Sequence, residues 1–240
     1  MNMKIPAVLA ALAIIFSSCQ KDLSEERGIT PDPIAAGGGG GGTGGGITDC
    51  KTCIYYPVCT GSVYNYSDTS FGSGTGTALS YTLTYVKDTT IEAKTYQKFT
   101  GAGQQNTYFN CTAGVSSTIV LNGVTAGGTT LPYVKITQLK ANEAVGASWT
   151  DQINNAGQIA TYTYTIVSKT DTRIVSGHTY TNVIHVHEQT TEDVPGLGII
   201  NAGQSEYYFA SGIGLIESIS VDDFSGLTIL HHVLVSAVIP

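Results

Sequence analysis

Two stretches alternate apolar and polar residues most clearly. Over 78–87, Tyr81, Leu83 and Tyr85 alternate with Thr82 and Thr84; over 159–167, Tyr162, Tyr164 and Ile166 alternate with Thr161, Thr163 and Thr165. A period of two places each apolar set on one face of a strand, and Thr, Tyr, Val and Ile suit a pleated, half-buried surface. Breaks in the pattern carry Gly, Asn or Asp: 101–106, Asn122-Gly123, Gly127-Gly128, 155–157 and 196–203. Such residues supply turns, and the spacing predicts roughly a dozen strands. The best helical candidate, Leu139 to Ala147, is short and contains Gly146. The pattern therefore predicts an all-β domain over 47–240, either an antiparallel meander sandwich or a curved open barrel, with tyrosines supplying apolar bodies and polar tips.

The pattern also repeats. Tyr81-Thr-Leu-Thr84, then Asp88-Thr-Thr-Ile91, Tyr96 and Phe99, matches Tyr164-Thr-Ile-Val167, then Asp171-Thr-Arg-Ile174, Tyr180 and Val183. Downstream, Tyr108-Phe109 with Gly114-Val115 matches Tyr208-Phe209 with Gly214-Leu215. Two related halves, about 78–121 and 159–220, are expected. The second half is longer by about sixteen residues around Thr190 to Ser205, and long loops often carry function. Glu192, Asp193, Leu197 and Ile199 are its binding-loop candidates, against the alternative of a long hairpin packed on the sheet.

The first 46 residues differ in kind. Lys4, an apolar run from Ala7 to Phe16 and Ser17-Ser18 have the parts of a secretory signal over 1–18, and the apolar run is too short to span a bilayer. Cys19 follows directly, and Ile14-Ile-Phe-Ser-Ser-Cys19 resembles the lipobox of bacterial lipoproteins, whose cysteine is acylated and becomes residue one of the mature chain. The resemblance implies a membrane anchor of several acyl chains, palmitate among them, each buried methylene contributing about 0.8 kcal/mol. Residues 19–46 hold two prolines and a run with nine glycines in ten positions. That composition predicts a disordered tether spanning about 30 Å. The acidic residues after Gln20 resemble the export signal of Bacteroidota surface lipoproteins, which implies the outer membrane and the cell surface; a periplasm-facing location is the alternative.

Charge narrows the partners. After loss of residues 1–18 the chain keeps 10 basic and 18 acidic residues, a net charge of −8. Phosphate binding needs clustered Lys and Arg, so no nucleic-acid partner is expected, nor electrostatic adhesion to anionic lipid. The glycine run contains G-x-G-x-x-G by composition alone, without the flanking strand and helix of a nucleotide site.

Four cysteines remain beside Cys19: Cys50, Cys53, Cys59 and Cys111, an even number in an exported chain. Disulfides are expected, with Cys50–Cys53 and Cys59–Cys111 the favoured pairing. A zinc ribbon would need a second close C-x-x-C, and a thioredoxin-like site would need a helix where Ile54-Tyr-Tyr-Pro57 stands. His185 and His187 share one strand face about 7 Å apart and could grip a metal if His231, His232 or Glu188 arrived as a third ligand, although Glu188 would face the other side. A solvated strand face is the alternative. Glu192-Asp193 and Asp222-Asp223 are adjacent pairs that point opposite ways on a strand, unsuited to paired acid and base work. No catalytic residue and no cofactor is predicted.

Gly146-Ala-Ser-Trp149, Tyr162-Thr-Tyr-Thr-Ile166, Gly177-His-Thr-Tyr180, and Tyr207-Tyr-Phe-Ala-Ser-Gly212-Ile-Gly214-Leu215 together resemble the uncharacterised β-rich surface lipoproteins of Bacteroidota. The resemblance implies a fold and an envelope location and carries no reaction. Two functions follow as expectations: a noncatalytic lipoprotein that binds an envelope ligand or partner on its tyrosine-rich face or the 190–205 segment, or a glycan or peptide hydrolase using a histidine or metal site.

Overall fold

The alternation seen in the sequence sets the sidedness of one large sheet. The computed structural model describes residues 53–71, 76–101, 106–124, 130–155, 158–194 and 196–240. Cys19, the segment 19–46 and Cys50 lie outside them. Regular structure among the described residues is all β, in twelve antiparallel strands: β1 Val63–Ser70, β2 Thr77–Ile91, β3 Lys94–Thr100, β4 Thr107–Thr112, β5 Val115–Val124, β6 Thr130–Lys140, β7 Ser148–Asn155, β8 Gln158–Val175, β9 His178–Val194, β10 Gly198–Ala210, β11 Gly214–Asp222 and β12 Thr228–Val238. The repeat halves read from the sequence coincide with β2–β5 and β8–β11.

Strand order across the sheet is β6-β5-β4-β3-β2-β1-β12-β11-β10-β9-β8-β7. Each half is thus a six-strand meander, and the two are joined where β1 pairs with β12. The outer strands β6 and β7 face each other through side chains: Trp149 Nε1 donates to the Thr137 carbonyl at 2.7 Å, and the Thr137 N–H donates to the Asp151 carboxylate. The sheet curls into a nearly closed barrel, which decides between the two architectures expected.

Inward residues form the core. Tyr162, Tyr164 and Ile166 of β8 join Trp149, Ile184, Val186 and Phe209 in one cluster, and Leu83, Tyr66, Phe99 and Leu234 belong to a second. Phe109 packs against both clusters and lies edge-on to Phe99, with ring centroids 5.2 Å apart. On β8 to β10 the opposite face carries Thr161, Thr163, His185, His187, Gln189, Gln204 and Glu206, none of them fully buried. A barrel that crosses a bilayer has the reverse arrangement, with an apolar band outside.

Residues 53–62 cross one end of the barrel. Ile54 accepts a hydrogen bond from the Gly212 N–H in the β10–β11 turn, the Tyr56 hydroxyl donates to Gln138 of β6, and the Tyr64 hydroxyl of β1 donates back to the Pro57 carbonyl. Tyr56 packs between Phe109 and Phe209. This plugged end also holds the tight turns after β2 and β8, where Glu92-Ala93 and Ser176-Gly177 all have positive φ, the backbone hand that matches strand twist in a two-residue hairpin.

The cysteine pairing differs from the one expected. Cys53 is bonded to Cys111 of β4, with Cα atoms 6.0 Å apart, so neither Cys50–Cys53 nor Cys59–Cys111 forms; Cys59 is disulfide-bonded as well. The reason is the path of the plug. Cys53 enters above β4 and β5, beside Ser116, whereas Cys59 lies in the turn that leads into β1, its N–H donating to Ser62.

Two further expectations change. Asn122-Gly123 is not a break, because β5 continues through it and Gly123 pairs with Leu131. The segment 190–205 is not a loop: β9 and β10 run on as a ladder to Val194 opposite Gly198, leaving a tight turn. The hairpin alternative is the one realised.

The disulfide closes a 58-residue separation, for which chain entropy gives about 4 kcal/mol of stabilisation. A Cys53→Ser, Cys111→Ser double variant is expected to lose about that much in urea denaturation; a midpoint equal to that of the parent would mean the plug is held by packing alone. Phe209, fully buried, should cost about 3–5 kcal/mol on replacement by alanine, read in the same experiment.

Candidate functional site

Cross-strand register brings an unbroken series of inward polar side chains together. Asp68 of β1 stands opposite His232 of β12, His232 opposite Ser218 of β11, and Ser218 opposite Tyr207 of β10. Tyr207 then donates to Glu188 of β9 at 3.0 Å. Five neighbouring strands contribute, and Asp68, His232, Ser218 and Glu188 are all buried.

At the β1 end, Asp68 Oδ1 lies 2.5 Å from His232 Nδ1. Tyr66 stacks on the imidazole with centroids 4.4 Å apart, and the Tyr81 hydroxyl lies 3.2 Å from the same Nδ1. The carboxylate fixes the ring, and the tyrosines wall it in.

At the β9 end the centre is Glu188. Burial pushes its carboxyl above the usual range, and hydrogen bonds from the neighbouring hydroxyls oppose that shift. Tyr164, Tyr207 and Thr190 supply them, the last two at 3.0 and 3.1 Å. Tyr164, directly across from Glu188 on β8, has its hydroxyl pushed up by burial first and then by the Glu188 charge. That hydroxyl and the Glu188 carboxylate are hydrogen-bonding neighbours inside the barrel. Trp149 stacks on the Tyr164 ring at 5.4 Å. Farther along the same face of β9 come Thr190 and Glu192, both buried. This polar face leads away from the plugged end towards the β9–β10 turn, where Leu197 and Ile199 are exposed.

The outward face carries a second network. His185 Nε2 lies 2.6 Å from Glu206 Oε2 and His187 Nδ1 lies 2.8 Å from Glu206 Oε1. For Glu206, burial raises the pKa, but hydrogen bonds from the two imidazoles outweigh it and hold the carboxyl below its usual range. His185 stacks on Tyr208 at 4.5 Å, and the Arg173 guanidinium lies 3.7 Å from the same ring centroid. Arg173 and His231 both reach Glu217, at 2.5 and 2.7 Å. The far part of the β8–β9 hairpin makes this possible: register shifts along β8 and a positive φ at Asn182 bend it so that Arg173 meets β11 and Ser176 donates to the Leu234 carbonyl of β12.

His185 and His187 therefore share a face, as their spacing requires, and their common partner is Glu206. His231 joins Glu217 and His232 turns inward, so neither arrives as a third ligand; Glu188 faces inward. Among the described residues no group of three His, Cys, Asp or Glu has metal-holding geometry. Of the binding-loop candidates, Glu192 faces inward and is buried, Asp193 is exposed on β9, Leu197 sits in the turn and Ile199 is exposed on β10. The sequence reading missed Asp68, Ser218, Glu206 and Tyr207. Alternation in β10 separates outward Glu206 from inward Tyr207, but their partners depend on register with β9 and β11.

No protein-family model and no curated protein matches the chain. Two solved structures are similar: a protein of Parabacteroides distasonis described as a lipoprotein (12% identity, TM-score 0.49, 80% of this chain and 100% of that one) and a protein of Bacteroides fragilis described as exported with a YmcC-like fold (11% identity, TM-score 0.44, 78% and 99%).

Proposed function

We propose that the protein is a lipid-anchored lipoprotein of the bacterial outer membrane, displayed at the cell surface, that binds a ligand on the inward face of its barrel without catalysing a reaction. The observation that carries this reading is the polarity of the barrel. One end is filled by residues 53–62 and their disulfide, and the chain leads from that end back towards Cys19. The inward polar face, with Glu188, Thr190 and Glu192, runs to the opposite end, which then points away from the membrane.

The hydrolase reading has one observation in its favour, the Asp68–His232 pair. A general base needs a nucleophile within hydrogen-bond reach. The hydroxyl that reaches this imidazole is that of Tyr81, on the nitrogen already held by Asp68. Binding is the better fit.

Anchoring is tested by growing cells with labelled palmitate. The parent chain is expected to take up label, pellet with membranes and be shaved from intact cells by an added protease; Cys19→Ala should lose label and membrane association. An unlabelled parent chain would refute the anchor, and protection from the protease would place it on the periplasmic face.

The buried acid gives a separate expectation. Because the folded-state pKa of Glu188 is raised, the folded chain binds more protons than the unfolded chain just above the ordinary glutamate pKa, so stability is greatest below it and falls as pH rises through the folded value. Glu188→Gln should remove that decline, seen as a flatter dependence of melting temperature on pH above about 4.5.

A further inference from the structure

Cys59 is fully buried in the turn that leads into β1, and its sulfur is part of a disulfide. Cys53 and Cys111 take each other. The chain has five cysteines, so the partner of Cys59 within it is Cys50 or Cys19. The path of the plug favours Cys50. The Tyr56 N–H donates to the Cys53 carbonyl at 3.1 Å, which closes a tight turn over 53–56 and reverses the chain. A chain that runs back in step from such a turn sets 52 opposite 57, 51 opposite 58 and 50 opposite 59. Directly opposed residues of an antiparallel pair have Cα atoms about 4.5–5.5 Å apart, inside the range of about 4.4–6.8 Å that a disulfide spans. Cys19 would have to close a longer loop through the glycine-rich stretch, at a greater entropic cost, and in the anchored protein its sulfur is already held by lipid.

From this register we infer that Cys50 and Cys59 form a second disulfide, so that the leash joins the barrel through a covalent ring of residues 50–59 rather than through a single run of peptide. Its formation removes two thiol protons and two electrons; the oxidant is a disulfide of the export compartment, which accepts them and leaves as a pair of thiols. The ring has a mechanical task. The Cys53–Cys111 bond pins it to β4, and Cys59 pins it to the entry of β1. A pull on the lipid anchor arrives at Cys50 and passes directly to Cys59, past the segment that holds exposed Ile54 and the packed ring of Tyr56. A peptide break inside the ring would leave barrel and leash covalently joined until the ring is reduced. The inference goes beyond the ligand-binding reading and takes from the proposal above only the acylation of Cys19.

The test is a disulfide map. The full chain, extracted from cells with detergent, is unfolded in urea with iodoacetamide and no reductant, digested with trypsin and chymotrypsin, and analysed by mass spectrometry. Cleavage after Lys51 and after Tyr55 puts Cys50, Cys53 and Cys59 on three separate peptides. A Cys50 peptide joined to a Cys59 peptide is expected, with a Cys53 peptide joined to a Cys111 peptide and no alkylated cysteine. Cys50→Ser should show one alkylated thiol, on Cys59, and keep the Cys53–Cys111 bond. An alkylated Cys50 in the parent chain, with lipid on Cys19, would overturn the ring and leave the anchor standing. Cys59 joined to Cys19 would overturn both. Cys50 joined to Cys59 in a chain without lipid would support the ring and refute the anchor alone.

Discussion

Pairing of β1 with β12 brings Val63 opposite Val238, almost the full length of the folded chain apart. Closing a loop of that size has an entropic cost that grows only with the logarithm of its length, and a continuous ladder with the inward packing of Tyr66 and Leu234 offsets it. Everything on the inside follows from that pairing. It turns two six-strand meanders into one sheet, removes two exposed edges, and leaves the remaining pair, β6 and β7, adjacent in sequence and bridged by Trp149 and Asp151. Unpaired strand edges invite association. Here the remaining edge N–H of Thr137 is covered by a carboxylate from the facing strand.

The same closure explains why polar groups are buried at all. A curled sheet that is filled from one end by Tyr56, Cys53 and their neighbours has an apolar half and, further along the strands, a half where alternation points polar side chains inward. The inward positions there are Asp68, His232, Ser218, Tyr207, Glu188 and Thr190. Each of Asp68 and Glu188 has specific companions, an imidazole for Asp68 and the hydroxyls of Tyr164, Tyr207 and Thr190 for Glu188. Burying a charge without such partners is unfavourable enough that the group neutralises instead, and the raised pKa of Glu188 is that tendency held partly in check.

The strand content was readable because it depends on local alternation: Tyr81 and Leu83 on β2, and Tyr162, Tyr164 and Ile166 on β8, face the core as their period requires. The matched sequence segments, about 78–121 and 159–220, fall on β2–β5 and β8–β11. What could not be read was set by register and by the path of a short irregular segment. Cys53 reaches Cys111 because residues 53–62 cross the barrel from β4 to β1, a route without periodicity. Glu206 meets two histidines because β10 lies antiparallel to β9 with Glu206 opposite His187; a shift of one residue would have turned it inward. The extra residues of the second half looked like a loop because Gly196, Gly198 and Gly203 punctuate them, yet two of these glycines lie in β10. At Gly203 an added Cβ would stand 2.9 Å from the Val221 carbonyl, so the glycine there permits close strand approach rather than a turn.

Because a sheet is one residue thick, its two networks are not independent. His187 faces outward to Glu206 and Glu188 inward to Tyr207, one peptide apart on β9. The positive charge of His187, when present, pulls the Glu188 carboxyl down against the upward push of burial. The lower pKa of Glu206 favours its charged form beside His185 and His187. The outer lattice thus acts on the inner carboxylate against the effect of its burial. The exposed histidines, which look like a solvated strand face in the sequence, bear on the inner site through a single backbone rather than through any ligand of their own.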